Sequence, residues 1–132
     1  MKIQWIAMLA LVAGLVSCTK DSPVTADYRD AVVGDYVGIS VFTYWGGNGF
    51  NHDTSDIMIS LTKSDMDSLV KLSFIPKYHA EYFLFVFEGG AFTSKLVYRP
   101  PVLKLSYDSL YFKHLPGLGP YWKECFAIKF SD

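Results

Sequence analysis

Apolar side chains recur at every second position in short runs from Val32 onward, and no run keeps a helical apolar period for long. That alternation makes half-buried strands and constrains the fold more than any other feature of the chain. Within Gly34–Trp45, Val37, Ile39, Val41 and Trp45 share one face, and Gly38 and Ser40 take the other. Residues 56–63 alternate Ile57, Ile59 and Leu61 with Ser60 and Thr62, and the next run sets Val70, Leu72 and Phe74 against Lys71 and Ser73. The polar stretch Ser64-Asp65-Met66-Asp67 between them reads as a hairpin connection. Residues 82–88 are apolar on both faces, which predicts a strand covered on both sides or a wall facing a cavity.

Turn signals punctuate the second half as well. Gly89-Gly90 predicts a tight turn into the run 92–99, which Pro100-Pro101 ends because proline cannot donate to a ladder. Asp108-Ser109 reads as a two-residue loop between runs 102–107 and 110–115, and Pro116 to Pro120 as a longer loop. In the last run Trp122, Phe126, Ile128 and Phe130 lie on one face, opposite Lys123 and Lys129. The expectation is an all-β antiparallel meander of about eight strands. It closes into a small β-barrel, which removes the exposed edges, or splits into a two-sheet β-sandwich.

With 132 residues the chain supports a single core. A formal net charge of −1 excludes nucleic acid as a partner, because phosphate binding needs a surplus of Lys and Arg. Aromatic residues make up 17% of the chain, too many for a disordered one. Of its 3 Trp, 9 Tyr and 10 Phe, only Trp5 precedes residue 18, so the rings belong to the folded body.

The beginning of the chain has a different grammar. Met1-Lys2 supplies a positive start, and residues 3–16 are an apolar run broken only by Gln4 and Gly14. As a helix this run spans roughly 21 Å, short of the roughly 30 Å hydrocarbon core of a bilayer, so it reads as the helical part of a signal peptide. Leu15-Val16-Ser17-Cys18 follows. It resembles the lipobox of bacterial lipoproteins, in which the signal is cut before the Cys and the Cys carries lipid. The resemblance implies a signal peptide over 1–17 and lipid attachment at Cys18; the polar, aperiodic stretch that follows, with Pro23, reads as a flexible tether over 18–31, ahead of the β domain over 32–132. Two or three acyl chains, each adding roughly 0.8 kcal/mol per buried CH₂, make a stable anchor where one chain does not. Thr19, where an Asp would retain such a protein in the inner membrane, is similar to outer-membrane cargo. Lys20-Asp21 is similar to signals for surface display. The orientation, periplasmic face or cell surface, stays open.

The lipobox, the tether, the Gly34-Asp35-Tyr36 opening and the meander together resemble the calycin-like barrel lipoproteins of Gram-negative bacteria. The resemblance to lipocalins is more distant: Tyr36 stands where lipocalins have Trp, and no second lipocalin motif is present.

With Cys18 lipidated, Cys125 has no intrachain disulfide partner, and it reads as a small buried hydrophobe. The segment from Tyr44 to Asp53 is the most unusual on the chain. Its glycines make an adaptable loop framed by Tyr44, Trp45 and Phe50, whose rings suit stacking on a sugar or insertion into a partner, with His52 beside them. The plainer alternative is a long hairpin loop with Trp45 ending a core strand and Phe50 folded over the rim. His52, Asp53 and Asp56 fit neither a zinc nor an EF-hand spacing. His79 and His114 read as rim or core residues. No nucleophile elbow, Walker loop or HExxH is present, so neither catalysis, a metal nor a cofactor is expected. The expected function is a non-enzymatic, lipid-anchored binding module for an envelope protein or glycan. The alternative is a carrier of small apolar ligands, with Phe83, Phe85 and Phe87, or the opposite face of their strand, lining a cavity.

Overall fold

The computed structural model describes residues 27–66, 68–76, 82–94 and 98–130. The expected signal peptide, Cys18, Thr19, Lys20, Asp21, Pro23 and His79 lie outside them. A short helix, α1 (Tyr28–Val32), precedes β1 (Gly34–Trp45), β2 (Phe50–Lys63), β3 (Leu69–Ile75), β4 (Phe83–Glu88), β5 (Ala91–Ser94), β6 (Val102–Ser106), β7 (Ser109–His114) and β8 (Tyr121–Lys129). Each strand pairs antiparallel with the next, and β8 returns to pair with β1 from Tyr36↔Lys129 to Tyr44↔Tyr121, closing the meander into a barrel. The closed ring, not the sandwich, is the architecture. Its thinnest seam among the described residues is β5 to β6, paired only at Phe92↔Leu103.

Among the described residues, large apolar side chains from most strands pack together in the interior. Ile57, Ile59 and Leu61 from β2, Val70, Leu72 and Phe74 from β3, and Phe83 and Phe85 from β4 are buried, as their alternation predicts. At the centre the Phe112 ring lies 5.0 Å from Phe74 and 5.2 Å from Phe83, and His114 stacks edge-on against Phe83 at 5.0 Å. Val86 is buried on the opposite face of β4, which accounts for the uninterrupted apolar run there.

The seam between β1 and β8 is built from small residues. Gly38 pairs with Ala127 and Ser40 with Cys125, all turned inward, and this leaves room for the large rings from across the barrel. A Cβ on Gly38 would lie 2.0 Å from the Phe126 carbonyl oxygen and 2.6 Å from the Ala127 Cα. Glycine is required here by the closeness of the two backbones. Burial raises the Cys125 thiol to about 11, so it stays a neutral packing group at physiological pH.

Several boundaries differ from the sequence expectation. The last part of the expected tether, Asp27 to Ala31, belongs to the body. Asp27 caps α1 by accepting from the Arg29 backbone N–H at 3.0 Å, and its carboxylate is 3.1 Å from Lys63 Nζ. Tyr28 packs on Phe87 and Phe92, closing one mouth of the barrel, and Tyr36 Oη donates to the Val32 carbonyl at 2.7 Å. The Arg29 side chain, the Arg29 N–H and Lys63 together hold the Asp27 carboxyl well below the usual carboxylate range. The turn between β6 and β7 is Tyr107-Asp108, one residue earlier than Asp108-Ser109, with Tyr107 at φ 55°. Gly89-Gly90 makes the expected tight turn, with positive φ at both residues.

Candidate functional site

The stretch from Tyr44 to Asp53 is mostly strand. Only Gly46 to Gly49 form the loop, closed by a hydrogen bond from the Gly46 N–H to the Gly49 carbonyl at 2.9 Å, and the ladder runs on to Trp45↔Phe50. Strand alternation then divides the expected site residues between two faces. Trp45, Phe50 and His52 point to the outer wall. Tyr44 points into the mouth of the barrel, where it stacks on Phe42 at 5.7 Å. The same alternation separates Asp53 from His52 and Asp56.

The outer-wall residues meet a partner that only barrel closure supplies. Trp122 of β8 pairs with Thr43 of β1, which pairs in turn with His52 of β2. The Phe50 ring sits between two indoles, 5.2 Å from Trp45 and 5.3 Å from Trp122. Trp45 and Phe50 each keep half of their surface exposed. The rings meet at 75° and 58°, so the group is a notched ledge and not a flat platform.

Polar side chains fix the ledge along one border. Thr43 Oγ1 and His52 Nδ1 are hydrogen-bonded at 2.9 Å. Trp122 Nε1 donates to Glu124 Oε2 at 3.0 Å, and Tyr111 Oη donates to Glu124 Oε1 at 2.7 Å. Lys113 Nζ lies 3.4 Å from Glu124 and 5.4 Å from the centre of the Trp122 ring, a cation–π distance. Partial burial raises the Glu124 pKa, but the hydrogen bonds from Tyr111 and Trp122 and the charge of Lys113 outweigh it, and the carboxyl is held below its ordinary value. Burial, with the hydrogen bond to Glu124 and its charge, pushes Tyr111 up to about 12.

A folded-state pKa below the unfolded one stabilises above roughly pH 4.3, the ordinary Glu value, and that contribution is lost as the pH falls through the folded value. The Trp122 indole N–H resonance is therefore expected to hold its position down to about pH 4 and to shift below it. In Glu124→Gln that acid step disappears and the Tyr111 pKa falls to between about 10 and 12, because burial remains; NMR titration reads both.

The ledge lies at the end of the barrel opposite α1. The chain enters beside Lys63 and Lys129, whose Nζ donates to the Ala31 carbonyl at 3.3 Å, and β1 runs from there to Trp45. Sequence reasoning missed Trp122, Glu124, Lys113 and Tyr111 as members of the site. Their common parity on β7 and β8 was visible, but the pairing of β8 with β1 was not.

The comparisons return nothing: no family model, curated protein or solved structure matches this chain.

Proposed function

We propose that this chain is a lipoprotein anchored in the outer membrane by lipid on Cys18, and that its barrel is a non-enzymatic binding module for an envelope glycan. The observation that carries the reading is the ledge of Trp45, Phe50 and Trp122 bordered by His52, Lys113 and Glu124. Aromatic faces take up the C–H surface of a sugar ring, and the flanking donors and acceptor pair with its hydroxyls. The notch between tilted rings fits one protruding sugar unit better than a flat protein surface. A ledge at the end remote from the tether points away from the membrane. The interior that a carrier would need is occupied by Phe74, Phe83, Phe85 and Phe112, which favours an outer-wall site.

Two variants test the two halves of this reading. Cys18→Ala is expected to move the protein from the membrane to the soluble fraction on cell fractionation; unchanged membrane association contradicts the anchor. Screening the purified protein against envelope glycans is expected to find a ligand whose affinity falls at least about tenfold in Trp45→Ala, the size of effect seen for buried aromatic anchors. Unchanged affinity in that variant for every glycan bound, or binding confined to an envelope protein, contradicts the glycan reading.

A further inference from the structure

Three large side chains stand exposed together at the end of the barrel where the chain enters. Tyr107, in the turn between β6 and β7, is fully exposed, and Ile128 and Phe130 at the end of β8 are 60% and 57% exposed. Ser109 pairs with Ile128 and the Lys129 N–H donates to the Asp108 carbonyl, which sets Tyr107 opposite Phe130 in the same register. This rim is held in place. Ser109 Oγ donates to the Ser106 carbonyl at 2.8 Å across the turn, and the Phe130 N–H donates to the Asp35 carbonyl at 2.7 Å. Tyr107 sits at φ 55°, a conformation that Gly, Asn and Asp adopt at less cost than an aromatic residue. Its ring buries nothing in return, so the strain points to a contact outside the barrel.

The length of chain between the anchor and the body identifies the neighbour. Asp27, which caps α1 at this end, is nine residues after Cys18, and nine residues span at most about 30 Å fully extended. With lipid on Cys18, the rim cannot stand further than that from the bilayer. A tyrosine, apolar in its ring and polar at its tip, suits the boundary between headgroups and acyl chains, and Ile128 and Phe130 flank it with apolar surface. On the opposite side of the ring the same end carries exposed Asp65 and Glu88, in the turn after β2 and at the end of β4, which stay in water.

We infer that the rim of Tyr107, Ile128 and Phe130 rests in the surface of the bilayer that holds the lipid on Cys18, so that the barrel stands on this rim with its ledge raised. The inference rests on the anchor proposed above. The 12 residues of β1 run about 40 Å, and at the ordinary strand tilt of a barrel this lifts the ledge about 30 Å from the rim. The outer wall between rim and ledge also exposes Ile39 and Phe126. A barrel lying on that wall would carry Trp45 and Trp122 into the bilayer, and those indoles distinguish the two postures.

The test is quenching of tryptophan fluorescence by brominated acyl chains, with the full-length protein extracted from membranes, reconstituted into phosphatidylcholine vesicles and checked for folding by circular dichroism. Trp45 and Trp122 are the indoles after residue 17, and both lie on the ledge. Wild-type emission is therefore expected to change by less than about a tenth when brominated lipid replaces plain lipid, since an interfacial contact reaches only about 5–10 Å into the boundary. Tyr107→Trp adds an indole at the rim, and the emission it adds is expected to fall at least about twofold. Ile128→Ser and Phe130→Ser, introduced together into the Tyr107→Trp protein, are expected to reverse most of that fall, because the apolar area they bury holds the rim down. Quenched wild-type indoles, an unquenched indole at the rim, or quenching that survives the two Ser substitutions would each overturn the posture. Flotation of the vesicles separates it from the anchor. Protein that floats with them and shows no quenching at the rim leaves the anchor standing; protein that does not float overturns both.

Discussion

Gly38→Ala is expected to lower the stability of the barrel by about 3 kcal/mol, the upper part of the ordinary range for overpacking a filled site. The added methyl would sit 2.0 Å from a carbonyl oxygen of β8, and backbone on both sides of the seam must move to admit it. Domains of this kind are stable by roughly 5–15 kcal/mol, so the loss is a large share of the total. In urea denaturation the midpoint should fall with little change in slope. Ser40→Ala, two residues along the same strand, is the control. It removes one side of a 2.9 Å hydrogen bond between Ser40 and Ser55 and is expected to cost about 1 kcal/mol. Equal midpoints for Gly38→Ala and wild type would mean that β1 and β8 are not packed this closely.

Phe112→Ala is expected to cost about 3–5 kcal/mol, the range for removing a buried ring and leaving a cavity. Phe112 is fully buried and touches rings from β3 and β4 across the barrel. Its loss cannot be relieved by collapse of one strand, because each strand is held on both sides by the closed ladder. The same substitution at half-exposed Phe126 removes a ring from the outer wall and is expected to cost less than about 1.5 kcal/mol. The two side chains have the same chemistry and differ in which side of the barrel they face.

That difference is also where sequence reading stopped. Over residues 57–62 of β2 and 70–74 of β3 the inward residues are apolar and the outward ones polar apart from Met58, so alternation located both the strand and its face. On β1 and β8 alternation located the strands but carried no sign for the faces. Val37, Ile39, Phe126 and Ile128 form the more apolar side and point outward, and the inward side is Gly38, Ser40, Cys125 and Ala127. Small residues paired across a seam mark an interior crowded by rings from the far wall, and a period of two cannot distinguish that from a solvent face.

The first half of β2 was hidden for a related reason. Residues 51–56 are polar on both faces and exposed, so no apolar period marks them, and their pairing with β1 alone makes them strand. Five residues are too few for α1 to show a helical period, although Asp27 is an ordinary N-cap residue. The parity of Trp45, Phe50 and His52 was legible within a single hairpin. The ledge needed Trp122, which arrives from the far end of the chain only when the ring closes.

On the proposed reading the closed barrel stands on a membrane with its aromatic ledge turned outward, held there by lipid on Cys18. Intact-mass spectrometry of the protein extracted from native membranes tests it most directly. The predicted species consists of residues 18–132 carrying two or three acyl chains at Cys18; a chain that retains residues 1–17, or one whose Cys18 is unmodified, would contradict it.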